Sequence, residues 1–335
     1  MRKPRVTLQD VANQAGVNRV TAAVALGRSP QGGTRVSDET RNRILAIAEE
    51  LGYAPNQIAR ALRNKRTHII GYYAGYEALD AHSPFTAAVL QGLQQSCRQY
   101  KQDLMLFGSF ARDSATSVYT TLTSGMIDGL VLLPTPQSAG LERLFDSHLP
   151  VVAIANSHPS VVSVAVDDAG GSRQIAEHLA RQGHRHILYR ANSRGHLSSA
   201  RRLEAFLAAA ADLELKVSVV PTSELASTLS AQEVALLQAP ADQRPTAAVC
   251  WMDLSAYRLL DTCDEVGIKV PDDLAIIGFD GVPPRIRLER KLTTIRAPWA
   301  EVAARAVTYL LDLLDGKELP DETILPVELV VGDTG

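Results

Sequence analysis

Thr7-Leu8-Gln9-Asp10-Val11-Ala12-Asn13-Gln14-Ala15-Gly16-Val17-Asn18-Arg19-Val20-Thr21-Ala22-Ala23-Val24-Ala25-Leu26 reads as two short capped helices joined by a glycine turn. Thr7 supplies an N-cap with Asp10 three residues on, and Leu8, Val11, Ala12 and Ala15 recur at helical spacing until Gly16 stops the run. Asn18 offers a second N-cap, so that Arg19 to Leu26 packs across the first helix. In a helix-turn-helix the first residues of the second helix face base edges in the major groove. This nominates Asn18, Arg19, Val20 and Ala22, with Arg19 suited to guanine and Val20 and Ala22 to thymine methyls. Outward from this stretch, Ser37 caps a third helix with Asp38 and Glu39 in its first turn. Ile44, Leu45, Ile47, Ala48 and Leu51 form its apolar stripe, and Gly52 follows its end.

Charge agrees with that reading. Residues 1–66 hold 12 Lys/Arg against 5 Asp/Glu, a net of +7, in a chain of 335 residues whose net is −3. A basic head on an acidic body is the footprint of a protein that holds nucleic acid at one end. A solvated helical bundle with surplus arginine is the plainer alternative, but it does not explain why three caps, the turn and the charge split coincide.

Several stretches resemble the lactose/galactose-repressor family: Val6 to Ala12, Ala15-Gly16-Val17, Arg35 to Arg41, Glu50 to Asn56, Glu177-His178-Leu179, Gly183-His184-Arg185, Val270 to Asp273, Ile277 to Asp280 and Leu292 to Ile295. The resemblance covers nearly the whole chain. It implies a sequence-specific transcriptional regulator, most simply a repressor, whose operator affinity is set by a small-molecule effector such as a sugar. It adds Thr7, Thr21, Tyr53, Asn56, Ala59, Arg60 and Leu62 to the DNA-contacting set. Within the recognition helix the family's usual Thr-Val-Ser-Arg stands here as Thr21-Ala22-Ala23-Val24, which removes two polar contacts.

Pro55 to Asn64 is shorter than the roughly 12–15 residues an isolated helix needs, yet Ile58, Ala59 and Leu62 share one face; it is expected to be disordered without DNA. By resemblance it is the hinge helix, with Leu62 wedged between central base pairs in the minor groove and Arg60, Arg63 and Lys65 on phosphates. Leu62 as a simple packing residue in a linker is the alternative.

From Thr67 onward short apolar runs alternate with amphipathic stretches. The runs are His68 to Tyr73, Asp103 to Phe107, Leu130 to Leu133, Val151 to Ile154, Ile187 to Tyr189, Val217 to Val220, Ala247 to Trp251 and Leu274 to Phe279. This rhythm predicts parallel, doubly wound sheets with helices on both faces, and about 270 residues of it favour two α/β lobes. The expected fold is an all-α headpiece on a two-lobed, periplasmic-binding-protein-like α/β effector domain. Its parts are a headpiece at 1–54, a hinge at 55–66 and a body at 67–335. The N-lobe is expected at about 67–165 and 297–326, and the C-lobe at about 166–296 with the C-terminal segment. The resemblance places the chain crossings near Val164 to Asp167, Ile295 to Pro298 and Leu325 to Val327.

Ligands of parallel sheets bind beyond the carboxyl ends of strands, where Asp280 and Asp253 stand out. Phe85 and Trp299 offer flat rings for a sugar or base, with core packing as the alternative for each. The resemblance assigns Asp280 to effector hydroxyls, Arg202 to an effector contact and Asn156 to a polar contact; a turn-capping Asp280 and a surface Arg202 are the alternatives. Met252-Asp253 stands where the family usually shows Asn-Asp, so a thioether replaces one effector hydrogen bond.

Catalytic chemistry finds no support. The chain lacks G-x-G-x-x-G after a strand, G-x-x-x-x-G-K-[ST] and G-x-S-x-G, so no enzyme and no cofactor are expected. Cys97, Cys250 and Cys263 fit neither a zinc site nor a disulfide framework, and His184 and His186 read as turn residues, so no metal is expected. Met1 to Arg5 has no apolar export segment and no run spans a membrane, which points to the cytoplasm, with the nucleoid as its station when DNA-bound. A periplasmic-type sugar-binding protein without regulatory role would need an export signal in place of the basic head. A nicotinamide enzyme would need the missing glycine fingerprint. The expected partners are double-stranded DNA with a near-palindromic operator, a small-molecule effector and a second copy of the chain.

Overall fold

The computed structural model describes residues 6–27, 36–54, 61, 65–74, 83–108, 115–135, 141–193, 195–223, 228–283 and 290–335. The chain forms two compact units, Met1–Thr67 and His68–Gly335.

The first unit contains α1 (Leu8–Gln14), α2 (Arg19–Ala25) and α3 (Asp38–Glu50), each started by a side-chain cap. Thr7 and Asp10 form a reciprocal capping box, in which the Thr7 N–H donates to Asp10 Oδ2 at 2.8 Å and the Asp10 N–H to Thr7 Oγ1 at 3.3 Å. The hydrogen bonds from Thr7 lower the Asp10 pKa. Gly16 takes φ +64° in the turn, a conformation that a β-carbon resists, and the Val17 N–H closes it on the Ala12 carbonyl at 3.0 Å. Val11, Ala15, Ala25, Ile44 and Ala48 form the core, with Val36, Ile47, Leu51 and Tyr53 packed against it. Leu45, expected in the apolar stripe of α3, is exposed. It lies about 100° around the helix from Ile44, outside the arc that Ile44, Ile47, Ala48 and Leu51 already fill.

The second unit opens with β1 (Ile69–Tyr73), α4 (Pro84–Gln99), β2 (Asp103–Phe107), α5 (Ala115–Leu122), β3 (Gly129–Leu132), β4 (Val151–Ile154) and β5 (Ser163–Val166). It continues with α6 (Asp168–Arg181), β6 (His186–Asn192), α7 (Leu197–Asp212), β7 (Lys216–Thr222), α8 (Ala231–Leu237), β8 (Ala247–Cys250), α9 (Asp253–Val266) and β9 (Ala275–Asp280). The last elements are β10 (Thr293–Arg296), α10 (Trp299–Leu314), β11 (Glu322–Leu325) and β12 (Glu328–Val330). Two six-stranded sheets result. One has the order β11-β5-β4-β3-β1-β2 and is parallel throughout; the other has the order β12-β10-β9-β8-β6-β7, with β12 antiparallel to β10. The chain passes between them after β5, after β10 and after β11. This is the headpiece-plus-two-lobed α/β architecture that the sequence implies.

Both sheets bury both faces, so β3, β4, β5, β8 and β9 are inaccessible along their whole length, as continuous apolar runs require. One apolar core threads both lobes, from Ile70, Val89 and Val131 through Val302 and Ile175 to Tyr189, Phe206 and Ile277. After β10, α10 returns to pack on α4, and Gly92 permits the approach, since a β-carbon there would lie 2.0 Å from the Ala300 carbonyl oxygen. Among the described residues, no helix is long and apolar enough to cross a membrane.

Candidate functional site

On the headpiece, α2 presents a narrow outward surface. Asn18, Arg19 and Val20 are exposed, Thr21, Ala23 and Val24 are half-buried, and Ala22 and Ala25 face the core. Ala22 is therefore corrected: with no accessible surface it cannot reach a thymine methyl, and it closes the contact between helices instead. Asn18 spends its Oδ1 on the Thr21 N–H at 2.7 Å, Thr7 spends its hydroxyl on Asp10, and Tyr53 packs against the headpiece core. Asn56, Ala59, Arg60 and Leu62 lie outside the described residues.

In the body, the carboxyl ends of β5, β8 and β9 converge on the first turns of α6, α7 and α9. Arg202, on the inward face of α7, is 3 % exposed. Its Nε donates to Asp168 Oδ1 at 2.8 Å, and its Nη1 donates to the Trp251 carbonyl at 2.7 Å and to Asp280 Oδ1 at 3.5 Å. The guanidinium carbon sits 3.7 Å from the centroid of the Phe279 ring, whose face attracts the cation. Gly171 makes room for that ring, since a β-carbon would stand 2.7 Å from it. Asp253, at the N-terminus of α9, accepts from the Val282 N–H at 2.8 Å and from Thr294 Oγ1 at 2.5 Å.

Two buried carboxylates, Asp168 and Asp280, therefore hold one guanidinium, and a third, Asp253, lies within reach of their charges. Burial, then the charge of Asp280, pushes Asp253 up to about 8; burial, opposed by Arg202, pushes Asp280 up to about 6. Asp168 is also raised, because burial outweighs the pull of Arg202. Asp280 holds φ +135°, a conformation rare for a residue with a side chain, and such strain gathers at binding sites. Asp168 Oδ2 and Trp251 Nε1 are buried without a hydrogen-bond partner, and the Trp251 ring stacks on His196 at 5.8 Å. The cluster thus keeps an acceptor and a donor in reserve, as a site that completes its bonds with a polar small molecule requires. Asp168 and Trp251 were not nominated from sequence. Asp168 is masked as one of two acids opening a helix, although both residues stand beyond strand ends, where the carboxyl-end rule points.

Other nominated residues take structural parts. The Asn156 amide bridges the lobes, its Nδ2 donating to the Pro134 carbonyl at 2.7 Å and its Oδ1 accepting from the Ser198 N–H at 2.9 Å. Trp299 belongs to the apolar core and meets Phe85 edge-on, with ring centroids 4.9 Å apart, so neither of its faces is open for stacking. Asp253 has both oxygens committed inside the protein. Met252 is half-buried at the N-cap of α9, where its side chain makes no capping bond. His184 and His186 anchor the turn before β6, through Thr246 Oγ1 at 2.9 Å and through the Gln243 carbonyl at 2.7 Å.

Residues 7–56 match the model of the bacterial regulatory proteins of the lacI family, and residues 176–334 match that of the periplasmic binding protein-like domain. The chain is 28% identical over 331 residues to the HTH-type transcriptional repressor PurR of Escherichia coli, covering 95% of this chain and 93% of that protein. It is 27% identical over 339 residues to the "Probable HTH-type transcriptional repressor ExuR" of Bacillus subtilis, covering 98% of each. Among solved structures, the lac repressor dimer bound to operator and the anti-inducer ONPF superposes with a TM-score of 0.82 over 99% of both chains at 23% identity. The complex of the transcriptional regulator CelR with cellobiose gives 0.69 at 23% identity, over 99% of this chain and 100% of that one. With the helix-turn-helix and the two-lobed body in one chain, this protein joins a DNA-binding domain of the lacI family of bacterial regulatory proteins, residues 7–56, to a periplasmic binding protein-like domain.

Proposed function

We propose that the chain is a cytoplasmic transcriptional repressor that grips a near-palindromic operator as a homodimer and changes its grip when a small polar metabolite binds at Arg202. The observation that carries this reading is the joining of a capped, basic helix-turn-helix to a buried arginine cluster with unfilled hydrogen-bonding capacity in a two-lobed body. The relatives support it: PurR is named a transcriptional repressor, the lac repressor is a dimer on operator DNA, and CelR holds cellobiose. The parts are the headpiece 1–54, the hinge 55–66 and the body 67–335. Arg19, Val20 and Thr21 contact bases, and Asn56, Ala59, Arg60 and Leu62 serve the hinge contact with the minor groove. Arg202, Asp280, Asp168 and Trp251 form the polar floor of the effector site, with Phe85 and Met252 at its apolar side. Arg202 is already paired with Asp168 and Asp280, and Asp168 Oδ2 is left without a donor, which suits a hydroxyl group and disfavours an anion, so a neutral sugar is the effector class this floor fits. Effector binding alters the angle between lobes, and a coupling of about 1–3 kcal/mol shifts operator affinity about 5- to 150-fold.

The test is selection of bound duplexes from a random pool by the full-length protein, followed by titration of the winning duplex with and without a panel of neutral sugars and uronates. An enriched palindrome whose affinity shifts with a neutral sugar establishes the reading, and a shift with a uronate alone overturns the neutral-sugar assignment. Absence of enrichment at low salt rejects it.

A further inference from the structure

The outward surface of α2 is unusually poor in hydrogen-bonding groups. Of its seven residues, Arg19-Val20-Thr21-Ala22-Ala23-Val24-Ala25, only Arg19 and Thr21 carry a polar side chain. Asn18, just before it, has its oxygen held by the cap. Val20 is 59% exposed in the first turn, and Val24 follows at i+4 on the same side, with Ala23 beside it. Single exposed valines are ordinary on protein surfaces. This one stands beside Arg19 at the start of the second helix of a module of net charge +7, where a polyanion docks.

Reading bases in the major groove needs particular chemistry. Guanine is taken by Arg or Lys, adenine by Asn or Gln, cytosine by an acid, and thymine through its 5-methyl group by an apolar side chain. The surface of α2 offers one group of the first kind, none of the second or third, and two valines for the fourth. We propose that Val20 and Val24 read thymine through its 5-methyl group, leaving Arg19 to read a single guanine. This rests on the DNA-binding reading above and names the chemistry of that same surface.

Removal of the methyl alone is the sharpest probe. The duplex enriched by full-length protein is resynthesised with deoxyuridine at each half-site thymine in turn, in both half-sites, and titrated by fluorescence anisotropy. Burial of one methyl corresponds to about a fourfold change in affinity, so a symmetric pair of replacements weakens binding about 15-fold. Val20→Ala, a change at an exposed position that leaves the headpiece core untouched, weakens the thymine duplex and abolishes the penalty of deoxyuridine at the position Val20 faces. A merely structural Val20 does not produce that selective loss. An enriched operator that tolerates deoxyuridine at every half-site thymine within twofold overturns the thymine proposal and leaves the regulator reading intact. A protein that enriches no sequence overturns both.

Discussion

Among the described residues, two arginines are buried in the C-terminal lobe, and they are finished differently. Arg190, on β6, gives its Nε to Glu233 Oε1 at 2.6 Å and its Nη1 to the Ser255 carbonyl at 3.0 Å, while the second oxygen of Glu233 accepts the Ser230 N–H at 2.7 Å. One cation meets one carboxylate, and both carboxylate oxygens are used. Arg202 meets Asp168 and Asp280 with Asp253 close by, and a carboxylate oxygen and an indole N–H beside it are left without partners. A closed pair is architecture; here it ties α8 to the first turn of α9. An open cluster, paired in excess by one sign and short of hydrogen bonds, is what the proposed effector site calls for.

The largest expected effect breaks the closed pair. Arg190→Met leaves Glu233 buried and uncompensated, and costs about 3–5 kcal/mol of stability in chemical denaturation. The double replacement Arg190→Met with Glu233→Gln recovers most of that loss, because no uncompensated charge remains. A double variant as unstable as the single one would show that packing, not charge, decides this site.

Arg202→Met is expected to destabilise less than Arg190→Met, since Asp168 and Asp280 are already raised and can take up protons when the guanidinium is gone. Its deficit shrinks as pH falls. Operator binding survives while the effector response disappears, which anisotropy titration with and without the sugar measures. Equal deficits for the two arginine variants at every pH would erase the distinction between closed and open clusters.

Proton linkage sharpens the contrast further. Asp253 and Asp280 have folded values above their unfolded ones. The stability they contribute is full below the unfolded carboxylate range near 4, and it is lost as pH rises through about 6 for Asp280 and about 8 for Asp253. The melting temperature of the ligand-free protein therefore declines across that window. Asp253→Asn flattens the upper part of the decline: its carbonyl can accept the Val282 N–H and its amide can donate to Thr294 Oγ1. A slope unchanged in this variant would assign the linkage to other groups.

These contrasts also show what a sequence can carry. Caps and turns are local, so Thr7, Asn18, Ser37 and Gly16 were legible, and buried parallel strands announce themselves as apolar runs. The short strands at the chain crossings, such as Thr293–Arg296 and Glu322–Leu325, have no such run and take their place from the neighbouring strand. Ala22 and Val20 are equally apolar to a sequence reader; only the packing of α1 and α3 decides which faces outward. Asn156 finds its partners 22 and 42 residues away, which no periodicity encodes. Arg202 was legible through family resemblance and Asp280 also through its place beyond a strand end, whereas the closed Arg190–Glu233 pair had no signal beyond a charge inside an apolar strand.

The smallest effect concerns a third arginine, adjacent in sequence to the second. Arg201 reaches across to the other lobe, where its Nη1 donates to Ser157 Oγ at 3.1 Å and to Glu322 Oε1 at 3.2 Å. Its side chain is 41% exposed and that of Glu322 36%, so water screens the pair and its contribution is at most about 1 kcal/mol. That is too little to matter to folding but enough to matter to an equilibrium between two lobe arrangements, because the bond exists only while the lobes stand as they do here. Arg201→Ala is therefore expected to leave the denaturation midpoint almost unchanged and to alter effector affinity by up to about fivefold. A double-mutant cycle with Glu322→Gln reads the coupling directly. A coupling well above 1 kcal/mol would make this exposed bridge a true latch, and its absence would leave Asn156 as the principal polar tie between the lobes.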